Sequence, residues 1–200
     1  NAIVKGSGTH KGQVAVNSYP FLPLLQNGTK EKYIFNLEKS KQLLAAEGWK
    51  QIDGKLQKDG KIFVLSITTL ADSEFEHTAT LIKKSWESLG IDVTVTAVSG
   101  SELRDQIVPN RSYDVLLSSL QLDPDPDQYV IWHTTQGESG NVSGISSPRL
   151  DKLLEDGRKT LDEKVRAEKY SEFARFLLDE APAVFLYYPN YTWVYSSKLQ

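Results

Sequence analysis

An α/β fold, a mixed sheet flanked by helices, is what this chain of 200 residues predicts. Segments with helical apolar spacing alternate with short, strand-like apolar runs, the pattern of a sheet covered by helices. The junctions carry explicit turn and stop residues, among them Gly48, Asp59-Gly60 and Gly90. The composition, 40% hydrophobic and 24% charged, is that of a folded globular chain. At this length about 70% of the unfolded chain's surface can be buried in one large domain or two small ones.

Each element has a local reason. Residues 3–35 are rich in Gly, Pro, Asn and Thr, with apolar fragments such as Val14-Ala15-Val16, and read as strand pieces and loops. "NLEKSKQLLAAEGW" (36–49) reads as a helix capped by Asn36, with Leu37, Leu43 and Leu44 on one face and Gly48 at its end. "KLQKDGKIFVLSITTL" (55–70) reads as a hairpin turning on Asp59-Gly60, a pair that accepts the positive φ of a tight turn. "SEFEHTATLIKKSWESLG" opens with a capping box, Ser73 and Glu76, and places Phe75, Ala79, Ile82 and Trp86 inward. "IDVTVTAV" (91–98) alternates as a strand does.

A short helix capped by Ser101 follows, then "YDVLLSSL" (113–120), a buried strand that runs into "LDPDPDQYVIWH" (122–133). Pro124 and Pro126 exclude helix or central strand there, so this stretch is a stiff loop. Beyond it, Ser147 caps a helix over 147–157 with Pro148 at its first position. A second helix spans 162–180 with Ala167, Tyr170, Phe173, Ala174 and Leu177 inward, and "AVFLYYPNYTWVYS" (183–196) is extended and aromatic-rich. No repeat or internal linker interrupts this single domain.

Composition excludes several classes. A net charge of −3 disfavours nucleic acid or an anionic membrane as partner. No apolar run approaches the ~20 residues of a membrane span. The lack of cysteine removes disulfides and thiolate chemistry. Methionine is also absent, and Asn1-Ala2 reads as a remnant of tag removal on an excised piece of a longer chain.

Three carboxylates, Asp123, Asp125 and Asp127, invite sharper readings. Counted from Asp123, the sixth and twelfth residues are Gln128 and Thr134, where a calcium loop needs Gly and Glu. A hydrolytic pair needs one desolvated acid, whereas this stretch is polar, and turn-capping is the plainer role. His10, His77 and His133 share no ligand spacing and read as surface or packing residues. "GSGTHKG" (6–12) fits neither phosphate-loop template. Aromatics crowd 187–195, Tyr129 and Trp132 follow the acidic loop, and a strand end beside them suits a peptide laid in as an extra strand.

The ordered pieces "FNLEKSKQLLAAEGW", "DGKLQKDGKIFVLSITT", "LIKKSWESLGIDVTV", "YDVLLSSLQLDPDPDQY", "SGNVSGISSPRLDKLL" and "APAVFLYYPNYTWVYSSKL" cover nearly all of 14–200. As a set they resemble the extracellular solute-binding proteins of family 5, the oligopeptide-, dipeptide- and nickel-binding components of ABC importers. The resemblance implies one lobe of a type II periplasmic-binding-protein-like fold. Residues 3–200 would be the C-terminal lobe of a longer two-lobe chain, with termini at the interlobe crossovers. It implies a binding protein rather than an enzyme, without cofactor or metal.

Its implied partners are a peptide or other small solute, the missing N-terminal lobe and an ABC permease, outside the cytoplasm in the periplasm or on a lipid anchor. Ser118, Ser119 and Leu120 would be backbone contacts to the ligand, and Tyr129 or Tyr188 would line side-chain pockets. Asp-Pro-Asp at 125–127 would be a structural corner. Dipeptide- and oligopeptide-binding members place an amine-pairing aspartate where this chain has Leu122; Asp123 stands next door. The rival reading from the residues alone is a carboxylate-dependent hydrolase using Asp123, Asp125 or Asp127, and a third is a structural interaction domain.

Overall fold

The structure is a computed structural model that describes residues 14–16, 20–21, 34–137 and 140–189. The predicted α/β class holds, with both strand directions present but sorted into separate small sheets among the described residues. β1 (Val14–Val16) pairs antiparallel with β8 (Tyr187–Pro189), bringing an early and a late segment of the chain side by side. β2 (Lys50–Ile52), β3 (Lys55–Lys58) and β4 (Lys61–Ile62) form an antiparallel meander. β5 (Val64–Leu70), β6 (Asp92–Val98) and β7 (Val115–Leu117) form a parallel sheet in the order β6-β5-β7.

α1 (Leu37–Ala46) is capped as expected, the Asn36 side chain accepting from the Lys39 N–H at 2.9 Å. Leu43, expected inward, is 57% exposed. Adjacent helical residues point ~100° apart, and Leu44 is the one turned to the core. The Asp59-Gly60 turn forms with φ of 52° and 74°, the mirror-image turn that matches strand twist. The hairpin's second arm is shorter than expected. It stops at Ile62, and β5 leaves for the parallel sheet, where Ile67, Thr68 and Thr69 are buried between two neighbours.

α2 (Ser73–Glu87) crosses from β5 to β6, the connection a parallel pair requires. Its cap is Asp72 rather than Ser73: the Asp72 carboxylate, on extended backbone, accepts from the Glu74 N–H at 2.9 Å. A charged acceptor one residue earlier displaces the weaker hydroxyl. Ala79 is fully buried, while Phe75, Ile82 and Trp86 are half-buried.

Likewise Ser99, not Ser101, caps the next helix, α3 (Gly100–Glu102), by accepting from the Glu102 N–H. The helix widens into a π-helical segment, Leu103–Ile107, before a last turn, Val108–Asn110. Pro109, which lacks an N–H, accounts for the local loss of the α ladder. β7 was expected over 113–120, yet only Val115–Leu117 pair, with Ile67–Thr69.

After the acidic loop come α4 (Tyr129–Trp132), a 3₁₀ turn (Thr134–Gln136), α5 (Pro148–Lys159) and α6 (Glu163–Glu180). Ser147 and Pro148 open α5 as predicted. In α6, Tyr170, Phe173, Ala174 and Leu177 are buried, but Ala167 is exposed. Arg166 and Tyr170, not Ala167, take the contacts with Gly157 of α5.

Among the described residues two hydrophobic clusters result. One joins β5, β6 and α2 around Ile67, Ala79 and Val93; the other joins α5 and α6 around Phe173, Leu150 and Leu154, with Phe21 and Trp132. Polar contacts bridge them. Arg111 donates to the carbonyls of Gly137, Asn141 and Val142, and the Tyr113 hydroxyl to that of Val142. Tyr187 reaches Thr78 and Glu74 on α2.

Candidate functional site

The site begins where β7 stops. Thr69 Oγ1 donates to the Leu117 carbonyl at 2.9 Å, and Asp114 holds the strand's other end by accepting from the Ser66 N–H and hydroxyl, both at 2.8 Å. Those two donors keep the Asp114 carboxyl below its ordinary pKa. Ser118, Ser119 and Leu120 are exposed, and no loop backbone hydrogen bond among the described residues involves 118–123. This exposed run lies beyond Leu117, the last paired residue of β7.

Next to this run lies a small open recess lined by Phe21, Gln121, Leu122, Asp123, Asp125, Asp127, Gln128 and Ile131. Its three carboxylates are not equivalent. Asp125 Oδ1 accepts from Arg166 Nη2 at 2.6 Å and from the Asp127 N–H at 2.8 Å. The guanidinium beside it holds its carboxyl below the usual range. Asp127 pairs with Arg158 Nε at 2.9 Å and accepts from the Tyr129 N–H, starting α4. Among the described residues nothing pairs with the Asp123 carboxylate, which is therefore the recess's uncompensated charge. A general acid needs its pKa raised. Asp125 has the opposite shift, and Asp127 is bound to its helix and to Arg158, so the hydrolase reading loses two of its three residues.

The expected site residues divide accordingly. Leu122 and Asp123 line the recess, and Ser118, Ser119 and Leu120 lead into it. Tyr129 stands apart. His133 stacks on its ring at 4.0 Å between centroids, and the Arg158 guanidinium lies 4.4 Å from the same centroid, so the two occupy opposite faces. Only its edge and hydroxyl remain, and the hydroxyl sits 3.4 Å from Thr135 Oγ1. Tyr188 spends its hydroxyl on the Phe21 carbonyl. His133 is buried at 4% exposure, a packing residue as expected, with Nε2 facing Asp151 and Glu155 at 3.8 and 3.6 Å. His77 is exposed. His10, the 6–12 loop, Tyr191, Trp193 and Tyr195 lie outside the described residues.

Several organising residues escaped the sequence reading. Arg158 and Arg166 are helical cations whose acidic partners lie 31 and 41 positions upstream. Asn141, buried to 2% exposure, donates to the carbonyls of Trp132, His133 and Ile145 and accepts from Ser143 and Gly144. The only signal for it was the Gly- and Ser-rich setting of "SGNVSG". Among the described residues no group of three or more His, Asp or Glu side chains is placed to hold a metal ion. None of their helices is long and apolar enough to cross a membrane.

Residues 1–141 match the family described as bacterial extracellular solute-binding proteins, family 5 Middle. The chain belongs to that family. The oligopeptide-binding protein AppA of Bacillus subtilis (strain 168) is 34% identical over 188 residues, which are 90% of this chain and 34% of AppA. A solved structure of AppA in complex with a nonapeptide matches with a TM-score of 0.83 at 31% identity, over 94% of this chain and 39% of that one. A mannohexaose-bound oligopeptide-binding protein of Thermotoga maritima shares the fold at a TM-score of 0.80 and 20% identity, over 94% of this chain and 39% of that one. This family 5 chain thus spans about a third of the length of AppA, the curated relative it matches over 90% of its own residues.

Proposed function

We propose that this chain is the C-terminal, solute-binding lobe of an ABC-importer substrate-binding protein, and that its solute is an oligopeptide. The observation that carries the reading is the exposed run 118–120, beyond the last ladder pair of β7, leading into a recess with one unpaired carboxylate. A peptide laid along 118–120 as an added strand gains main-chain hydrogen bonds, while Asp123 meets a cationic group such as its free amino terminus. Leu122 contributes apolar wall. Tyr129 contributes its edge and Tyr188 its ring. The similarity to AppA, solved with a nonapeptide, supports the ligand class.

In this mechanism the affinity is shared with a second lobe, and closure is favoured by contacts that the ligand makes to both. The partner is then a membrane permease and the location extracytoplasmic. Calorimetry with mixed tri- to nonapeptides tests the reading. The full-length protein binds at micromolar affinity or better, and this chain alone binds at least a hundredfold more weakly. Equal affinity for the two would overturn the two-lobe account, and a full-length protein that takes mannohexaose but no peptide would overturn the ligand class.

A further inference from the structure

We propose that Gln128 is a positioning residue that couples the recess to the segment entering the lobe. Its side chain is 4% exposed and uses both ends of the amide. Nε2 donates to the Pro20 carbonyl at 2.6 Å, and Oε1 accepts from Trp132 Nε1 at 2.8 Å. The next carbonyl along, that of Phe21, accepts from the Tyr188 hydroxyl on β8. Two consecutive carbonyls of the entering segment are therefore pinned by donors from two different elements, one in the acidic loop and one in the strand that pairs with β1.

The pin has a consequence for the recess because Phe21 is part of its lining. The Phe21 ring is anchored in the helical core, 5.7 Å from Phe173 and edge-on to Tyr170 at 6.2 Å. The opposite wall, Gln121 to Asp127, is part of the loop that carries Gln128 itself. The two walls thus belong to segments that the sequence separates by a hundred residues, and the Gln128 amide spans them. A buried amide with both ends satisfied permits one relative placement, since shifting either wall leaves a buried donor or acceptor unpaired. Whatever fills the recess is read by the entering segment, and movement of that segment reshapes the recess. The functional half of this inference rests on the binding role proposed above.

Three variants of the full-length protein test it. Gln128→Glu keeps an acceptor for Trp132 but, when ionised, cannot donate to the Pro20 carbonyl, so it is read well above the carboxyl's pKa. Gln128→Met removes both bonds at similar volume without adding charge. Trp132→Phe breaks only the other arm and loses core volume, so it reports structural loss alone. We expect Gln128→Glu and Gln128→Met to weaken peptide binding about tenfold, the worth of one buried hydrogen bond. Trp132→Phe leaves affinity within about threefold while lowering Tm at least as much.

Hydrogen exchange without ligand gives a second readout. Both Gln128 variants accelerate exchange in β1 and at the Asp127 and Tyr129 amides together, and Trp132→Phe does not. Wild-type affinity with unchanged exchange at Asp127 and Tyr129 in both Gln128 variants would overturn the coupling, as would equal affinity losses in all three. Should the wild type bind no peptide, the binding role falls, and the paired exchange in β1 and at Asp127 and Tyr129 decides the pin by itself.

Discussion

Replacing Asp123 by Asn removes one charge from the recess and almost nothing else. The two amide and carboxylate side chains are nearly isosteric, and no described neighbour depends on the carboxylate. Asp125 and Asp127 are already balanced by Arg166 and Arg158, so the substitution takes the local charge from one uncompensated negative to neutral. Two unit charges 4 Å apart attract by ~1 kcal/mol in water and by ~4 kcal/mol at an effective dielectric of about 20. Asp123 is exposed in the free lobe and half-desolvated beneath a ligand, which places its ammonium contact at about 2 kcal/mol, or roughly thirtyfold in affinity. Calorimetry on the full-length protein pairs a free pentapeptide with its N-acetylated form. The wild type prefers the free amine by about thirtyfold at low salt. Asp123→Asn abolishes the preference while leaving the acetylated peptide's affinity unchanged. A variant that still discriminates, or that weakens both peptides alike, would refute amine capture by Asp123.

Arg166→Ala addresses acid stability. Arg166 lowers the Asp125 pKa, so this carboxylate's contribution is fully present above its unfolded value near ~4 and is lost as pH falls through the lower folded value. Urea melts from pH 2 to 7 should show a shallower acid limb in the variant, with no more than about 1 kcal/mol lost at neutral pH because the pair is largely solvated. An unchanged limb would show that the pair contributes nothing. Asn141→Ala leaves the Trp132 and Ile145 carbonyls without their side-chain donor, while that of His133 keeps the Gln136 N–H, and should cost roughly 2–4 kcal/mol in denaturant midpoint analysis; a loss below ~1 kcal/mol would show that the turn does not need its hub. Gly140→Ala would put a Cβ 1.8 Å from the Val130 carbonyl oxygen, so expression without folding, or a loss of at least about 3 kcal/mol, is expected by circular dichroism. A wild-type melt would mean that α4 does not seat on Gly140.

Local chemistry made much of the fold legible. Asn36, Ser147 and Asp59-Gly60 work within four residues of themselves, so their caps and turn could be read directly. The misread caps, Ser73 for Asp72 and Ser101 for Ser99, show two acceptors competing within one turn, where backbone direction decides. Leu43 and Ala167 failed for another reason. Both lie at apolar spacing, but burial depends on whether a second element arrives to cover them. The acidic loop was read as a stiff corner from its prolines, and the Asx contacts at Asp125 and Asp127 are of that short-range kind.

By itself the sequence determined the α/β class, most element boundaries, the proline-stiffened loop and membership of a solute-binding family. All of these follow from interactions over a few residues or from an ordered set of such segments. Tertiary structure alone decided which carboxylate stays unpaired, that Tyr129 is enclosed between His133 and Arg158, and that Gln128 reaches Pro20. Those outcomes turn on residues 29 to 108 positions apart meeting within hydrogen-bond or stacking distance. Periodicity encodes the face of an element and carries no information about the partner that the face will meet.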